Sequence, residues 1–346
     1  MTYLPRAVST TLLTSLYDRA RRLRRYVTTS FSTMTSLITS NESIVPSLWP
    51  QDLARVTHSS YDQHVRAGWR HFPPTADGIL DWIEVIPTSG PNIRPGEKRV
   101  VYTTATLDPQ LRKHSPTDMT FFVHGFIRAL NLSPLGNWTT PFIIRYSKEV
   151  HAPSAVQHLT LVSGGHTAAF DAQLIAIAQL KDVISMLTGA EEIVHEGVIP
   201  QAIRLERNVF FKIRSDAEID PPPSTQLTDE NDPGHKARRI ASRWSVSQLL
   251  PTYIRRPDGH DKAVPYHAFR IGDFVEVTVS PQVHSVRRDG QQQPTLQLVI
   301  KKLVKIWSAQ EAKALLTRST TTSSPMQKPS SSKPKVPPEL VRMDTT

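Results

Sequence analysis

The chain contains 346 residues and no cysteine, and its 41 Lys plus Arg against 31 Asp plus Glu give a net charge of +10. The lack of cysteine excludes disulfides, Cys-ligated zinc or iron–sulfur sites, thiol nucleophiles and dithiol redox pairs. No uninterrupted run of about 18 apolar residues occurs, so no membrane-spanning segment is predicted.

The positive charge is concentrated at the two ends of the sequence. Residues 1–40 hold six basic residues and one acid, whereas residues 41–234 hold 16 basic and 22 acidic residues. Residues 235–346 hold 19 basic and 8 acidic residues. This asymmetry favours polyanion contact or targeting through the ends, and it argues against a uniformly basic body.

The first 40 residues form a basic arm with an amphipathic helical pattern. Leu13, Leu16, Ala20, Leu23 and Val27 recur at three- and four-residue spacing among arginines, serines and threonines. An Arg-rich, Ser-rich and acid-poor amphipathic segment is typical of a mitochondrial transit peptide. We therefore expect a mitochondrial location. The alternative is a solvated arm on a nuclear or cytoplasmic protein.

Residues 41–215 have the composition of a globular domain with many strands and one long helix. Runs of β-branched and aromatic residues bounded by Pro, Gly, Asn or Asp predict strands. These strands are predicted at 78–87, 99–106, 120–126, 139–146 and 158–162. An Ala- and Leu-rich helix is predicted at 168–187, ending before Gly189, with a short helix at 191–195 and a strand at 204–213. Several strands before one dominant helix favour an α+β domain with mostly antiparallel strands.

Residues 216–243 are predicted to form a linker that changes from acidic to basic. Clustered prolines and acids with almost no apolar residues cannot bury enough surface to offset the entropy of ordering. The basic end of this segment contains Arg238 and Arg239 and precedes Trp244. These arginines are candidates for phosphate contact, and they equally fit a nuclear-localisation signal.

Residues 244–316 are predicted to form a small β-rich unit, either a hairpin or a partial barrel. Alternating apolar and polar residues at 269–279 and 295–307 predict two long strands joined by a basic Asp-Gly loop. Ser308 and Glu311 form a capping box that predicts a helix from residue 308 to 316. Residues 317–346 are rich in Ser, Thr, Pro and Lys and are predicted to be a disordered tail.

The hairpin is the main candidate for contact with nucleic acid or another polyanion. Small β-barrels hold single strands with cations and aromatic side chains on one sheet surface. The candidate residues are Phe274, Arg287, Arg288, Lys301, Lys302, Lys305 and Trp307, together with Arg238 and Arg239. The G-D-F-V-E-V opening at 272–277, the basic turn and the long return strand resemble the first hairpin of an OB-fold barrel. The alternative is an ordinary hairpin whose lysines protect an exposed edge.

A hydrolase is the alternative function. One predicted strand ends in His124-Gly125, which resembles the start of the oxyanion loop of α/β-hydrolases. A later strand, turn and helix display Ser163, which is the context of a nucleophilic serine. The nucleophile elbow requires Gly two residues before the serine, where this sequence has Leu161, although the following Gly165 is present.

No sequence motif predicts a metal or a cofactor. Patterns for phosphate loops, dinucleotide binding and helical zinc sites do not occur, and Glu192 and His195 supply a single E-x-x-H spacing. We therefore expect a non-enzymatic binding or scaffold protein whose basic hairpin contacts nucleic acid. A hydrolase using Ser163 and His124 is the alternative, and an adaptor that binds another protein is a further one.

Overall fold

The structure, a computed structural model, describes most of the middle of the chain. The described residues are 75–88, 97–103, 118–139, 152–190, 194–195, 198–199, 201–213, 227–232, 235–288 and 291–322, with Trp49, Leu53, Pro73 and Pro116. The predictions for the arm at 1–40, for most of the strand at 139–146 and for the chain after residue 322 lie outside these ranges.

Strands dominate the described residues. The α-helices there are α1 (Ala76–Trp82), α2 (Thr167–Thr188) and α3 (Ala309–Thr322). The strands are β1 (Ile83–Pro87), β2 (Lys98–Tyr102), β3 (Phe121–Asn131), β4 (Val156–Val162), β5 (Val194–His195), β6 (Val198–Ile199), β7 (Ala202–Asn208), β8 (Phe210–Lys212), β9 (Trp244–Val246), β10 (Thr252–Arg255), β11 (Asp261–Ala263), β12 (Phe274–Arg288) and β13 (Gln291–Trp307). This composition is consistent with the α+β class.

The two helices with the clearest sequence signals form as expected. α2 ends at Gly189, whose φ of +68° is the left-handed conformation of a C-terminal cap. At the start of α3, the Glu311 carboxylate accepts from the backbone N–H of Ser308 at 2.8 Å. The Ser308 hydroxyl in turn accepts from the backbone N–H of Glu311 at 3.3 Å, so the capping box is confirmed. α3 continues to Thr322, beyond the predicted end of this helix.

Two sequence-based assignments differ from the structure. The strand predicted at 78–87 begins only at Ile83, because α1 occupies the residues before it. The Thr75 side chain accepts from the N–H of Gly78 at 3.2 Å and caps this helix. The short helix predicted at 191–195 is also wrong at its end, since Val194 and His195 form β5 and pair in parallel with β13.

Five strands close into a ring. β3 pairs with β4 and β4 pairs with β7, both in antiparallel fashion. β7 then pairs in parallel with β13 at Glu206 and Val299, β13 pairs antiparallel with β12, and β12 returns antiparallel to β3. When β3, β4, β7, β12 and β13 are renumbered 1 to 5 in chain order, their order around the ring is 1-2-3-5-4-1. This is the Greek-key order of an OB-fold barrel.

The β12–β13 hairpin supplies the last two strands of this ring and not the first two. The sequence resemblance to a first hairpin is therefore corrected by the topology, because β3, β4 and β7 precede the hairpin along the chain. Alternation of side chains predicts a hairpin from local sequence, but it does not indicate which distant strands flank it. Strands from 41–215 and from 244–316 consequently share one sheet.

The main core combines the barrel with the buried face of α2. Val275, Val277 and Val279 belong to this core, as the alternation predicts. Strict alternation would place Phe274 on the face opposite Val275, yet Phe274 is fully buried in the same core. The reason is a register shift between Phe274 and Val275 in the pairing with β13, which breaks the two-residue alternation at this point.

A second, smaller core lies beside the ring. Trp138 and Phe210 meet edge to face with ring centres 5.0 Å apart. Ala237 and Ile240 are buried against them. These two residues come from the segment predicted as a linker at 216–243, so its described basic end packs against the folded part of the protein.

Candidate nucleic-acid interface

Two lysines near the end of β13 contact acids of this chain. Lys302 Nζ lies 2.8 Å from Asp261 Oδ2 and 4.7 Å from the centre of the Tyr253 ring. Lys305 Nζ lies 3.0 Å from Asp273 Oδ2. Both lysines are mostly buried, so their charge is largely neutralised within the protein.

Asp261 connects Lys302 to a buried ionic network. Arg255 Nε lies 3.1 Å from Asp261 Oδ1, and Arg255 Nη2 lies 3.1 Å from Glu276 Oε1. His124 Nε2 lies 3.1 Å from Glu276 Oε2. The side chains of Arg255, Glu276 and His124 are at most 2% exposed, so the contacts bind strands β3, β10, β11 and β12 together in the interior.

The network sets the protonation of its members. Burial by itself would lower the pKa of Arg255, but the carboxylates of Glu276 and Asp261 outweigh burial and raise it. Burial alone would raise the pKa of Asp261, but contacts with Lys302 and Arg255 outweigh it and hold that pKa below its ordinary value. The ionised forms of both groups are therefore favoured in the folded protein.

Three other residues predicted to bind nucleic acid are partly or fully buried within the folded protein. Lys301 is half-buried, and this burial lowers its pKa. Phe274 is fully buried in the core. The Trp307 indole Nε1 donates to the carbonyl of Leu53 at 3.1 Å. Phe274 therefore offers no exposed ring, whereas Lys301 and Trp307 are only partly exposed.

The remaining hairpin candidates lie at the tip of the hairpin. The backbones of Arg287 and Arg288 pair with Gln292 and Gln291, at the ends of β12 and β13. The connecting residues 289–290 and the side chains of the two arginines lie outside the described part of the structure. Contact of Arg287 and Arg288 with a polyanion stays a prediction.

Residues 236–243, which we term the basic turn, are held in place by contacts on their inner side. Asp232 is 2% exposed, and its carboxylate accepts from the backbone N–H groups of Lys236 at 2.8 Å and Ala237 at 3.0 Å. Ala237 and Ile240 are buried in the second core. The turn is thus fixed by a buried carboxylate at its start and by two apolar anchors within it.

Arg238 and Arg239 lie between these anchors and are exposed. Their position follows from the 3-10 geometry of Arg238–Ile240. In a 3-10 helix, residues three apart lie on the same face, so Ala237 and Ile240 share the buried side. The two intervening arginines are therefore directed away from the core.

Strand β8 lies next to the end of the basic turn and contributes further exposed residues. Strand β8 pairs with β9 so that Lys212 lies opposite Trp244, and the N–H of Ile213 donates to the carbonyl of Arg243 at 2.8 Å. Lys212 and Arg243 are exposed, and Phe211 is 38% exposed. From the sequence, Lys212 and Phe211 are predicted only as part of a strand, because pairing between residues that are distant in sequence carries no local signal.

The geometry does not support the hydrolase alternative. His124 lies within β3, where its N–H donates to Gln173 Oε1 at 2.8 Å and its carbonyl accepts from Gln173 Nε2 at 2.8 Å. An oxyanion site needs backbone N–H groups directed at an open position, whereas this one is bonded to a buried amide. Ser163 lies in the turn after β4, where its Oγ accepts from the N–H of Gly165 at 3.3 Å.

The described residues contain neither a candidate metal site nor a candidate membrane-spanning helix. There, His, Asp and Glu side chains form no group of three or more that could hold a metal ion. Among the helices of the same part of the chain, none has both the length and the hydropathy needed to cross a membrane.

Comparison with known proteins gives little similarity. No family model matches the chain, and no curated protein matches it. The chain is similar to the single-stranded DNA-binding protein from bacteriophage Enc34, with 10% identity and a TM-score of 0.26 over 65% of this chain and 90% of that chain. The structure of that phage protein in complex with ssDNA gives 10% identity and a TM-score of 0.27 over 65% of this chain and 96% of that chain. Similarity at this level does not establish a common fold.

Proposed function

We propose that this protein is a non-enzymatic binding protein that contacts single-stranded nucleic acid through the basic turn. The observation that carries the proposal is the exposure of Arg238 and Arg239 between two buried anchors, Ala237 and Ile240. Arginine side chains on a fixed backbone bind phosphate with little loss of backbone entropy, because the turn is already ordered.

The surroundings of the turn favour a single strand over a duplex. Lys212 and Arg243 add positive charge at the end of the turn, and Phe211, the residue before Lys212 in β8, exposes 38% of its surface. Cations together with aromatic surfaces are the combination that binds unpaired bases and their phosphates. A duplex keeps its bases stacked and offers no base face to such a ring.

The barrel topology is compatible with this function but does not carry it. OB-fold barrels hold oligonucleotides and oligosaccharides among other ligands, and a fold by itself does not determine function. In this proposal, Lys302 and Lys305 stabilise the barrel through Asp261 and Asp273, and Arg287 and Arg288 add phosphate contacts at the hairpin tip.

The test compares two double variants of the full chain that change the net charge equally. Arg238→Glu with Arg239→Glu, and Arg128→Glu with Lys313→Glu as the matched control, each reverse two exposed cations. Binding to fluorescent 20-nucleotide DNA and RNA strands is measured by anisotropy at several salt concentrations. We expect the turn variant to bind about tenfold more weakly, with a salt slope smaller by about 1.4, because two phosphate contacts are lost.

The control variant should keep the slope of the wild-type protein. The proposal is wrong if the wild-type protein binds neither single-stranded DNA nor RNA, or if the two variants weaken binding to the same extent. Equal affinity for duplex and single strands would contradict the assignment of the strand type.

A further inference from the structure

A groove of about 340 Å³ is lined in part by Glu230 and Asn231, which lie in the loop before the basic turn in the sequence. Its walls come from β10, β11, the residues after β11, and the loop at 227–232, and we term it the tyrosine groove. The lining residues that matter here are Gln157, Glu230, Leu249, Tyr253, Tyr266 and His267. Its volume is slightly above the lower limit of about 300 Å³ for small-molecule sites, so it has room for one flat ring system.

The groove presents aromatic surface at its opening. Tyr253 and Tyr266 are half-buried, His267 is exposed, and Leu249 is 44% exposed on the rim. The rings of Tyr266 and His267 meet edge to face with centres 5.7 Å apart. Such partly exposed rings, held by the protein and open to solvent, provide faces on which an unpaired base can stack.

The walls of the groove are fixed by contacts on their inner sides. The Gln157 amide donates to the carbonyls of Leu132 at 3.1 Å and Ser133 at 2.9 Å. Lys302 Nζ lies 4.7 Å from the centre of the Tyr253 ring and is itself held by Asp261. The Tyr253 ring therefore needs little reorganisation on binding, which reduces the entropic cost of holding a ligand.

The groove and the basic turn differ in charge. Glu230 is an exposed acid on the rim and disfavours a phosphate inside the groove. The same loop ends at Asp232, whose carboxylate caps the basic turn at Lys236. One loop thus lines the groove through Glu230 and is bonded to the start of the basic turn through Asp232.

We propose that the tyrosine groove seats an unpaired nucleobase of a strand whose phosphates contact the basic turn. This inference rests on the proposed function, and it assigns the base-stacking subsite of that function. The occupant is a nucleobase because the groove offers aromatic faces and an acidic rim, which favour a flat, uncharged ring over a phosphate.

The experiment uses the full chain with the same fluorescent strands and compares Tyr266→Ala with Tyr266→Phe. We expect Tyr266→Ala to weaken binding by about fivefold to a hundredfold, the range for loss of one stacked base, while Tyr266→Phe retains the ring and stays near wild type. Neither substitution should change the salt slope, because no phosphate contact is removed. The salt slope therefore distinguishes a loss of binding at the groove from a loss at the basic turn, because the Arg238→Glu, Arg239→Glu variant lowers the slope.

A cross-linking measurement keeps the inference testable if Tyr266→Ala does not fold. Wild-type protein is irradiated with a strand that carries 5-iodouracil, and the attachment sites are mapped by mass spectrometry. Attachment at Tyr253, Tyr266 or His267 supports the inference, and attachment exclusively at other residues overturns it. Wild-type affinity in a folded Tyr266→Ala variant also overturns it and leaves the proposed function standing, whereas no binding by the wild-type protein rejects both.

Discussion

Gly164 lies where β4 turns towards α2, and its backbone has a φ of +58°. A Cβ atom added at this position would come within 2.2 Å of the Phe126 ring. Phe126 cannot easily move aside, because its ring packs against Phe274 with centres 4.9 Å apart in the main core. Glycine is therefore required here both for its backbone conformation and for the space that it leaves.

Gly189→Ala provides the matched comparison for Gly164→Ala. Gly189 has a similar φ of +68°, but an added Cβ would meet nothing within 4 Å. We expect Gly164→Ala to lower the free energy of unfolding by about 3 kcal/mol and Gly189→Ala by about 1 kcal/mol, since only the first adds a steric clash. Urea denaturation measures both values, and equal losses would contradict the clash.

The short strands β10 and β11 are attached to the barrel by charge as well as by backbone pairing. β10 pairs with β11 and β13, and Arg255 on β10 contacts Glu276 on β12. Asp261 on β11 contacts both Arg255 and Lys302. Removing one partner from such a buried arrangement leaves an uncompensated charge, which is strongly destabilising.

Asp261→Asn should therefore destabilise the protein in a pH-dependent way. The pKa of Asp261 is held below its ordinary value of 3.8, so its stabilising contribution is fully present above that pH and is lost as the pH falls below it. We expect a loss of about 2 kcal/mol in the free energy of unfolding at pH 7, and a smaller difference from wild type at pH 3.

Urea denaturation across this pH range measures the difference between Asp261→Asn and the wild-type protein. The control is the same substitution in a Lys302→Gln background, where the difference at pH 7 should be smaller because one cationic partner is gone. A difference that stays constant from pH 7 to pH 3 would contradict the role of the ionised carboxylate.

The barrel requires strands from both halves of the chain. β3, β4 and β7 come from one half, and β12 and β13 come from the other. Val277 on the hairpin pairs with Val123 on β3, and both are fully buried. Without β3 and β7 the hairpin would expose its apolar face and two unpaired edges to water.

We predict that residues 244–346 do not fold when they are produced alone. The fragment should show little amide dispersion in NMR spectra and no cooperative thermal transition, whereas the full chain should unfold cooperatively. Mixing this fragment with residues 1–243 is the control, since both halves of the ring are then present. A dispersed spectrum for the isolated fragment would show that the hairpin unit is independent.

Local sequence was sufficient to predict the elements whose signals are local. The Ala- and Leu-rich composition and Gly189 predicted α2, Ser308 and Glu311 predicted the start of α3, and alternation predicted the β12–β13 hairpin. Each of these signals involves residues within a few positions of one another, so the pattern of the element can be recognised without its distant contacts.

The candidate site could be predicted only in part. The exposed Arg238 and Arg239 were among the basic residues that the sequence singled out. Lys302 and Lys305 have the same charge and occur in the same kind of basic run, yet Asp261 and Asp273 hold them. The number of basic residues in a segment can be read from the sequence. Which of these residues contact an acid depends on packing between distant segments.

The amino-acid sequence is sufficient to predict α2, the start of α3, the β12–β13 hairpin, the acidic middle and the basic ends of this protein. Two features are seen only in the tertiary structure. The hairpin closes a ring with β3 and β7, and Ala237 and Ile240 anchor the basic turn. The physical reason is that strand pairing and burial join residues far apart along the chain, and the energy of those contacts has no counterpart in any local pattern.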